Sequence, residues 1–195
     1  DAGNAVDGPP LVEVGRVAAA ERIDCDYHLG GTVIGARTLA QVQRAQAGVT
    51  DAQRWDPQVQ WLGPVEAAER VRMQGLLGAS FHPSCARVQP RRLVDGLAAA
   101  VRRLGGRIVE GARVTDIGDH RVTVSGGAVL TTRHTVLATE AWTATLPGRK
   151  RRIAPVYSLM IATEPLPARV WDEIGLAGRE TFADHRHVIV YGQRT

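Results

Sequence analysis

Lysine is almost absent from this sequence, although its net charge is positive. The 195 residues carry a formal charge of +4, and Lys150 is the one lysine, so arginine supplies the other basic side chains. The arginines are scattered except at residues 148–152, GRKRR, where no aromatic residues are interleaved to stack on bases. A solvated basic loop explains this cluster better than a phosphate site. We therefore expect no nucleic-acid partner.

Cysteine is scarce and metal-binding spacings are missing. Cys25 and Cys85 are the two cysteines, and neither has a second cysteine nearby, which excludes the common zinc spacings. The six histidines form neither HxxxH nor HExxH, and the alternation of His185 and His187 is a weak metal signal. We expect no metal and reduced thiols, with a Cys25–Cys85 disulfide as the open alternative.

Long apolar runs and a secretion signal are also missing, so we expect a cytoplasmic protein without a membrane partner. Apolar residues make up 44% of the chain, and a chain of this size can bury roughly 70% of its unfolded surface. The sequence begins with Asp1 and ends inside a strand-like pattern. We expect it to be an internal piece of a longer protein.

The clearest predicted element is a helix over residues 90–106, PRRLVDGLAAAVRRLGG. It begins at a proline, places Leu93, Leu97 and Val101 on one stripe, and ends at a glycine pair. Shorter helices are predicted at 11–23, from Thr38 to about Ala47, from Pro64 to 72, and at 168–176. Strands are predicted at 26–36, 107–110, 113–117, 121–125, 128–132, 135–138, 153–166 and 187–194, and loops at 49–60 and 75–90.

The order of the strands indicates the fold. A strand at 107–110 is followed by a three-stranded meander and then by another strand at 135–138. A plain Rossmann unit joins its parallel strands by helices, and a meander in place of one crossover is typical of FAD-binding folds. A generic α/β domain with an added hairpin is the alternative. We predict an α/β fold, α+β overall. It pairs a partial FAD-binding Rossmann-like domain, 1–22 and 79–150, with a sheet-based substrate domain, 23–78 and 151–195.

Several stretches resemble a known family. Residues 83–117, followed by TVLATEAW at 135–142, resemble the central part of the D-amino-acid-oxidase-like family of FAD-dependent oxidoreductases. Residues 155–166 and 182–194 resemble its amine-oxidising branch, near the gamma-glutamylputrescine, glycine and sarcosine oxidases. The family's GxGxxG motif does not occur in this sequence; in the family it lies near the N-terminus of the whole protein.

The resemblance implies FAD as cofactor and assigns residues to it. Val114 matches the position whose backbone meets the adenine, and Ala138 and Thr139 lie in the word that passes beside the FAD pyrophosphate. With Trp142, these two small residues are expected to line one wall of the dinucleotide groove. The alternative is that Thr139 caps the following turn and Trp142 is a core aromatic residue. Glu140 departs from the glycine that the family has there, and a carboxylate near a pyrophosphate is repelled unless it points away or pairs with an arginine.

The resemblance also implies a substrate and a reaction. Tyr191 matches a tyrosine over the flavin face, and Arg194 is expected to bind a substrate carboxylate. The alternatives are a half-buried strand aromatic residue at 191 and a surface arginine at 194. The substrate is a small-molecule amine or amino acid, which passes a hydride to the flavin and leaves as an imine that hydrolyses. No catalytic residue is assigned, and the isolated piece is expected to be inactive. A cofactor-free relative that keeps only the fold and a basic nucleic-acid-binding module are the alternative functions.

Overall fold

A computed structural model describes residues 10–194, which form two compact units. The first unit comprises residues 10–106 and 164–194, and the second comprises residues 107–163. Residues 1–9 and 195, which belong to the predicted FAD-binding and substrate domains, lie outside the described residues. In chain order the elements are α1 (Pro10–Ala20), β1 (Thr32–Ala36), α2 (Leu39–Ala52), β2 (Gln60–Leu62), α3 (Pro64–Arg70), β3 (Gly78–His82), α4 (Pro90–Arg103), β4 (Val114–Gly118), β5 (Arg121–Val124), β6 (Val129–Thr131), a 3₁₀ helix (Glu140–Thr145), α5 (Ala168–Ile174), β7 (Thr181–Asp184) and β8 (Tyr191–Gln193).

The first unit is built on a five-stranded sheet in the order β2-β3-β1-β7-β8. β1 runs parallel to β7, and the other pairs are antiparallel. Because paired residues point to the same side of a sheet, the register separates the strands into two faces. The row Phe81–Val33–Phe182 lies on the first face, and the row Ser80–Ile34–Ala183–Tyr191 lies on the second.

The apolar core lies on the first face of this sheet. Val33 and Phe81 pack there with Ala67 of α3 and with Leu176, which is 0% exposed. Trp171 of α5 is partly buried against the same cluster. The short helices α3 and α5 therefore stabilise the sheet from one side and leave the second face for other contacts.

The five predicted helices are confirmed, and one of them is longer than predicted. Thr38 caps α2 as expected, because its hydroxyl accepts a hydrogen bond from the N–H of Gln41, but α2 continues to Ala52. α4 begins at Pro90 as predicted, and Gly105 just beyond its end has a φ of +87°. Local capping and stop signals thus determine where these helices begin and end.

Three strands of the first sheet were missed or misplaced by the sequence patterns. Residues 75–90 were predicted to be a loop, yet Gly78–His82 within them is β3, a mostly buried strand between β1 and β2. β2 falls in part of the predicted loop 49–60, and β7 was not predicted. Glycine and small residues give β3 the composition of a loop. Glycine is needed at residue 78 because the Trp61 ring lies against it.

The second unit contains the predicted three-stranded meander. β4, β5 and β6 pair consecutively and antiparallel, so this prediction is confirmed. Three other strands were predicted here, at 107–110, at 135–138 and at 153–166, most of which lies in this unit. None of them forms a strand in the structure. Val136 is 88% exposed. A strand needs a neighbouring strand to satisfy its backbone, and no strand within the described residues pairs with these segments.

The predicted domain boundaries do not coincide with the two units. The boundary at residue 79 falls inside β3, which pairs with β1 from the other side of that boundary. The boundary at residues 150–151 falls inside the second unit, 107–163. The assignment of these segments to FAD binding and to substrate binding stays a prediction.

Candidate functional site

Tyr191 lies on the second face of the five-stranded sheet. It pairs with Ala183 of β7, which in turn stands beside Ile34 of β1. The tyrosine side chain is 58% exposed, and it shares its row with small or partly buried residues. The strand β8 therefore places the phenol on the side of the sheet opposite the apolar core.

The Arg194 side chain does not lie on the same face of the sheet as Tyr191. The Arg194 guanidinium carbon lies 4.8 Å from the centre of the Trp171 ring, a cation–π contact on the side of α5. Side chains three residues apart at the end of a strand point to opposite faces. The structure thus does not bring the two predicted substrate-binding residues together, and a role for Arg194 in substrate binding stays a prediction.

Thr139 stands where an exposed extended segment meets the 3₁₀ helix of the second unit. Its hydroxyl lies 2.7 Å from the hydroxyl of Thr143, which is buried. It makes no capping hydrogen bond to the backbone, contrary to the predicted alternative. Ala138, the preceding residue, is exposed. Two small side chains therefore end an apolar segment beside the turn.

Glu140 occupies a backbone conformation that normally belongs to glycine. Its φ is +45°, and its carboxylate accepts a hydrogen bond from the N–H of Ala141, the next residue. This is the position at which the family that the chain resembles has glycine. The carboxylate thus bonds to its own turn, but it keeps its negative charge and no described arginine forms an ion pair with it.

Replacing Glu140 by glycine is expected to stabilise the second unit by about 0.5–1 kcal/mol. Removing the strain of the left-handed backbone raises the free energy of unfolding by about 1–2 kcal/mol. The greater flexibility of glycine in the unfolded chain lowers it again by about half of that. Urea denaturation measures the difference. Glu140→Ala is the matched control, because it removes the carboxylate and keeps the strain. Equal stability of the glycine and alanine variants would contradict the assigned strain.

The two remaining predicted contacts to the cofactor also lie in the second unit. Val114 opens β4 opposite Val124, and a register shift follows it between Val114 and Asp116. Trp142 is 74% exposed, so within the described residues it is not a core aromatic residue. Its indole is free to cover a bound molecule.

Among residues 10–194, no group of three or more His, Cys, Asp or Glu side chains is placed to hold a metal ion. The same residues include no helix that is both long and apolar enough to cross a membrane.

Comparison with known proteins places the chain in a family. Residues 11–195 match the family model described as FAD dependent oxidoreductase, DAO. The chain is also similar to the probable oxidoreductase OrdL of Haemophilus influenzae. The two are 35% identical over 107 residues, which make up 50% of this chain and 25% of that protein.

Solved structures show a similar fold. Glycine oxidase from Geobacillus kaustophilus superimposes with a TM-score of 0.63 at 25% identity, over 76% of this chain and 45% of that one. L-amino acid deaminase from Proteus myxofaciens superimposes with a TM-score of 0.58 at 17% identity, over 72% and 36% of the two chains, and shows the fold. The chain spans less than half of the length of each relative named here.

These matches confirm the predicted mixed α/β fold class and the predicted family, whose cofactor is FAD. On the match over residues 11–195, the chain belongs to the FAD-dependent oxidoreductases of the DAO family.

Proposed function

We propose that this protein uses FAD to oxidise a small-molecule amine or amino acid at its carbon–nitrogen bond. The likeness to a glycine oxidase over 76% of the chain is the observation that carries the proposal. An L-proline dehydrogenase and L-amino acid deaminases with the same fold support the substrate class. The substrate class would also need a hydrogen-bond donor for its carboxylate, which the exposed Tyr191 phenol can supply.

The residues of the second unit fit a bound dinucleotide. Ala138 and Thr139 are small, so the backbone of a cofactor can approach the chain closely there, as it approaches glycine in other dinucleotide sites. The carboxylate of Glu140 accepts a hydrogen bond from the N–H of Ala141 and stays charged, so a pyrophosphate beside this turn requires it to point away. We assign Ala138, Thr139 and the Trp142 indole to the wall of the FAD groove, and the backbone of Val114 to the adenine.

Bound FAD supplies the acceptor for the hydride that leaves the substrate carbon, and the imine product hydrolyses in water. The chain's own contribution is to bind and orient the substrate. The Tyr191 phenol can donate a hydrogen bond to a substrate carboxylate, and its strand holds the donor in place. A substrate whose amine is neutral releases the hydride most readily, so we expect the rate to rise as the substrate amine loses its proton.

Anaerobic mixing of the whole protein with a panel of amines and amino acids tests this proposal. At least one member, such as glycine, an N-methylated amino acid or a polyamine derivative, is expected to bleach the visible absorption of the flavin. Hydroxy acids of matching size are the controls and are expected to leave the spectrum unchanged. A flavin reduced by hydroxy acids and by no amine would overturn the substrate class while leaving the family unaffected.

A further inference from the structure

Helix α2 covers part of the second sheet face with few apolar contacts. It packs against β1, β2 and β3, but Ala45 and Val49 are the residues of this 14-residue helix that are buried. Small apolar residues supply little of the burial that normally holds a helix on a sheet. Polar contacts therefore add to the docking of α2.

Two histidines and a serine lie on this face beside α2. Ser80 and His82 are two residues apart in β3 and so share a face, while Ala79 and Phe81 belong to the core on the other face. His185 follows directly after β7, and its Nε2 lies 3.5 Å from the Ser80 Oγ. Both histidines are half-buried.

α2 is tied directly to one of these histidines. The Arg44 guanidinium on α2 donates a hydrogen bond through its Nη2 to the backbone carbonyl oxygen of His185, at 2.9 Å. The guanidinium is close enough to lower the pKa of the His185 ring, after the larger effect of burial. Burial also lowers the pKa of His82. A proton added to His185 would thus meet a positive charge from α2.

The nearby carboxylates are already engaged. Asp56, which follows α2, accepts hydrogen bonds from the Ser84 hydroxyl and the Gln58 N–H. Its charge raises the pKa of His82, but burial of the ring lowers that pKa by more. Asp184 accepts from the Arg186 guanidinium and the Val190 N–H, and it likewise offsets only part of the shift at His185. The groups that shift the pKa of the two rings are Arg44 from α2, Asp56 after it, Asp184 at the end of β7 and, for His185, the neighbouring His82. Arg186 also lies here and pairs with Asp184.

We propose that α2 is an acid-sensitive helix, which is docked on the sheet while His82 and His185 are neutral and is released when both rings gain protons. Release removes the Arg44 contact and lets both imidazolium rings reach water. This proposal does not rest on the oxidation proposed above.

The direction of the pH effect follows from linkage. In the open state both rings recover the ordinary histidine pKa of about 6.5, whereas in the docked state their pKa lies lower. The open state therefore binds more protons, and docking weakens as the pH falls through 6.5 toward the docked-state pKa. Above that range the docked state keeps its full stability.

Hydrogen–deuterium exchange of the whole protein tests the proposal. Peptides from residues 39–52 are followed at pH 7.5 and at pH 5.5, with correction for the intrinsic exchange rate, and peptides from α3 serve as the internal reference. We expect the protection of α2 to fall by about tenfold at the lower pH, relative to α3. Protection of α2 that stays within twofold of α3 between the two pH values would overturn the proposal.

Variants assign the effect to the two rings. His82→Gln combined with His185→Gln is expected to abolish the pH dependence, while His134→Gln, at an exposed histidine of the second unit, is expected to retain it. A tenfold loss that persists in the double variant would overturn the proposal. If that variant does not fold, NMR titration of the native protein decides. Midpoints below about 6.5 for both rings support acid release, and midpoints at or above 6.5 contradict it.

Discussion

Thr139→Leu is expected to weaken FAD retention by the whole protein at least about tenfold, or ~1.4 kcal/mol. Thr139 follows the small, exposed Ala138, and its hydroxyl is directed to Thr143 at 2.7 Å. A leucine side chain at this point would fill the space through which the cofactor backbone approaches. Equilibrium dialysis against free FAD, followed by the visible absorption of the protein fraction, measures the effect.

Thr145→Leu is the matched control for this change. Thr145 lies at the end of the same 3₁₀ helix, is exposed, and donates a hydrogen bond to the carbonyl of Trp142. It makes no contact that we assign to FAD, so its replacement should leave retention unchanged. Flavin occupancy that is unaltered in a folded Thr139→Leu variant would show that the end of segment 135–138 faces something other than the cofactor.

Gly175→Ala is expected to destabilise the first unit by at least about 3 kcal/mol. Gly175 ends α5 with φ 92° and ψ −135°, a conformation that alanine reaches only with strain. An added Cβ would lie 2.5 Å from the Arg70 carbonyl oxygen, a backbone atom that cannot rotate away. The same carbonyl accepts the N–H of Leu176, the most deeply buried leucine of the core. Denaturant titration of the variant measures the loss.

Gly105→Ala separates the cost of the left-handed backbone from the cost of the clash with the Arg70 carbonyl oxygen. Gly105 also has a left-handed backbone, with φ +87°, but an added Cβ there would meet nothing within 4 Å. Its replacement should cost about 1–2 kcal/mol, the strain alone. A loss at residue 175 no larger than the loss at residue 105 would show that the Arg70 carbonyl yields readily.

The features that the sequence predicted well are those with a local physical cause. α4 has a proline at its start, an apolar stripe and a glycine pair at its end, and the structure places it at Pro90–Arg103. The turns of the meander are short and glycine-rich or polar, so β4, β5 and β6 pair with their sequence neighbours. Each of these signals is complete within a few residues.

The features that the sequence patterns missed depend on distant residues. β3 reads as a loop because Gly78 and Ala79 are small, and they are small because Trp61 and the core pack against them. Segment 135–138 reads as a buried strand, but no partner strand within residues 10–194 pairs with it. The separation of Tyr191 from Arg194 could have been predicted, because residues three apart in a strand point to opposite faces, but the contact of Arg194 with Trp171 depends on a distant helix.

The central claim is that this chain belongs to a protein that holds FAD at the end of segment 135–138. The most direct measurement is the flavin content of the whole protein, purified without added cofactor and compared with residues 1–195 alone. We predict a yellow whole protein with one FAD per chain, and a colourless isolated chain that binds FAD no tighter than micromolar. A colourless whole protein that gains no visible absorption on incubation with FAD would contradict the account and favour a relative that keeps only the fold.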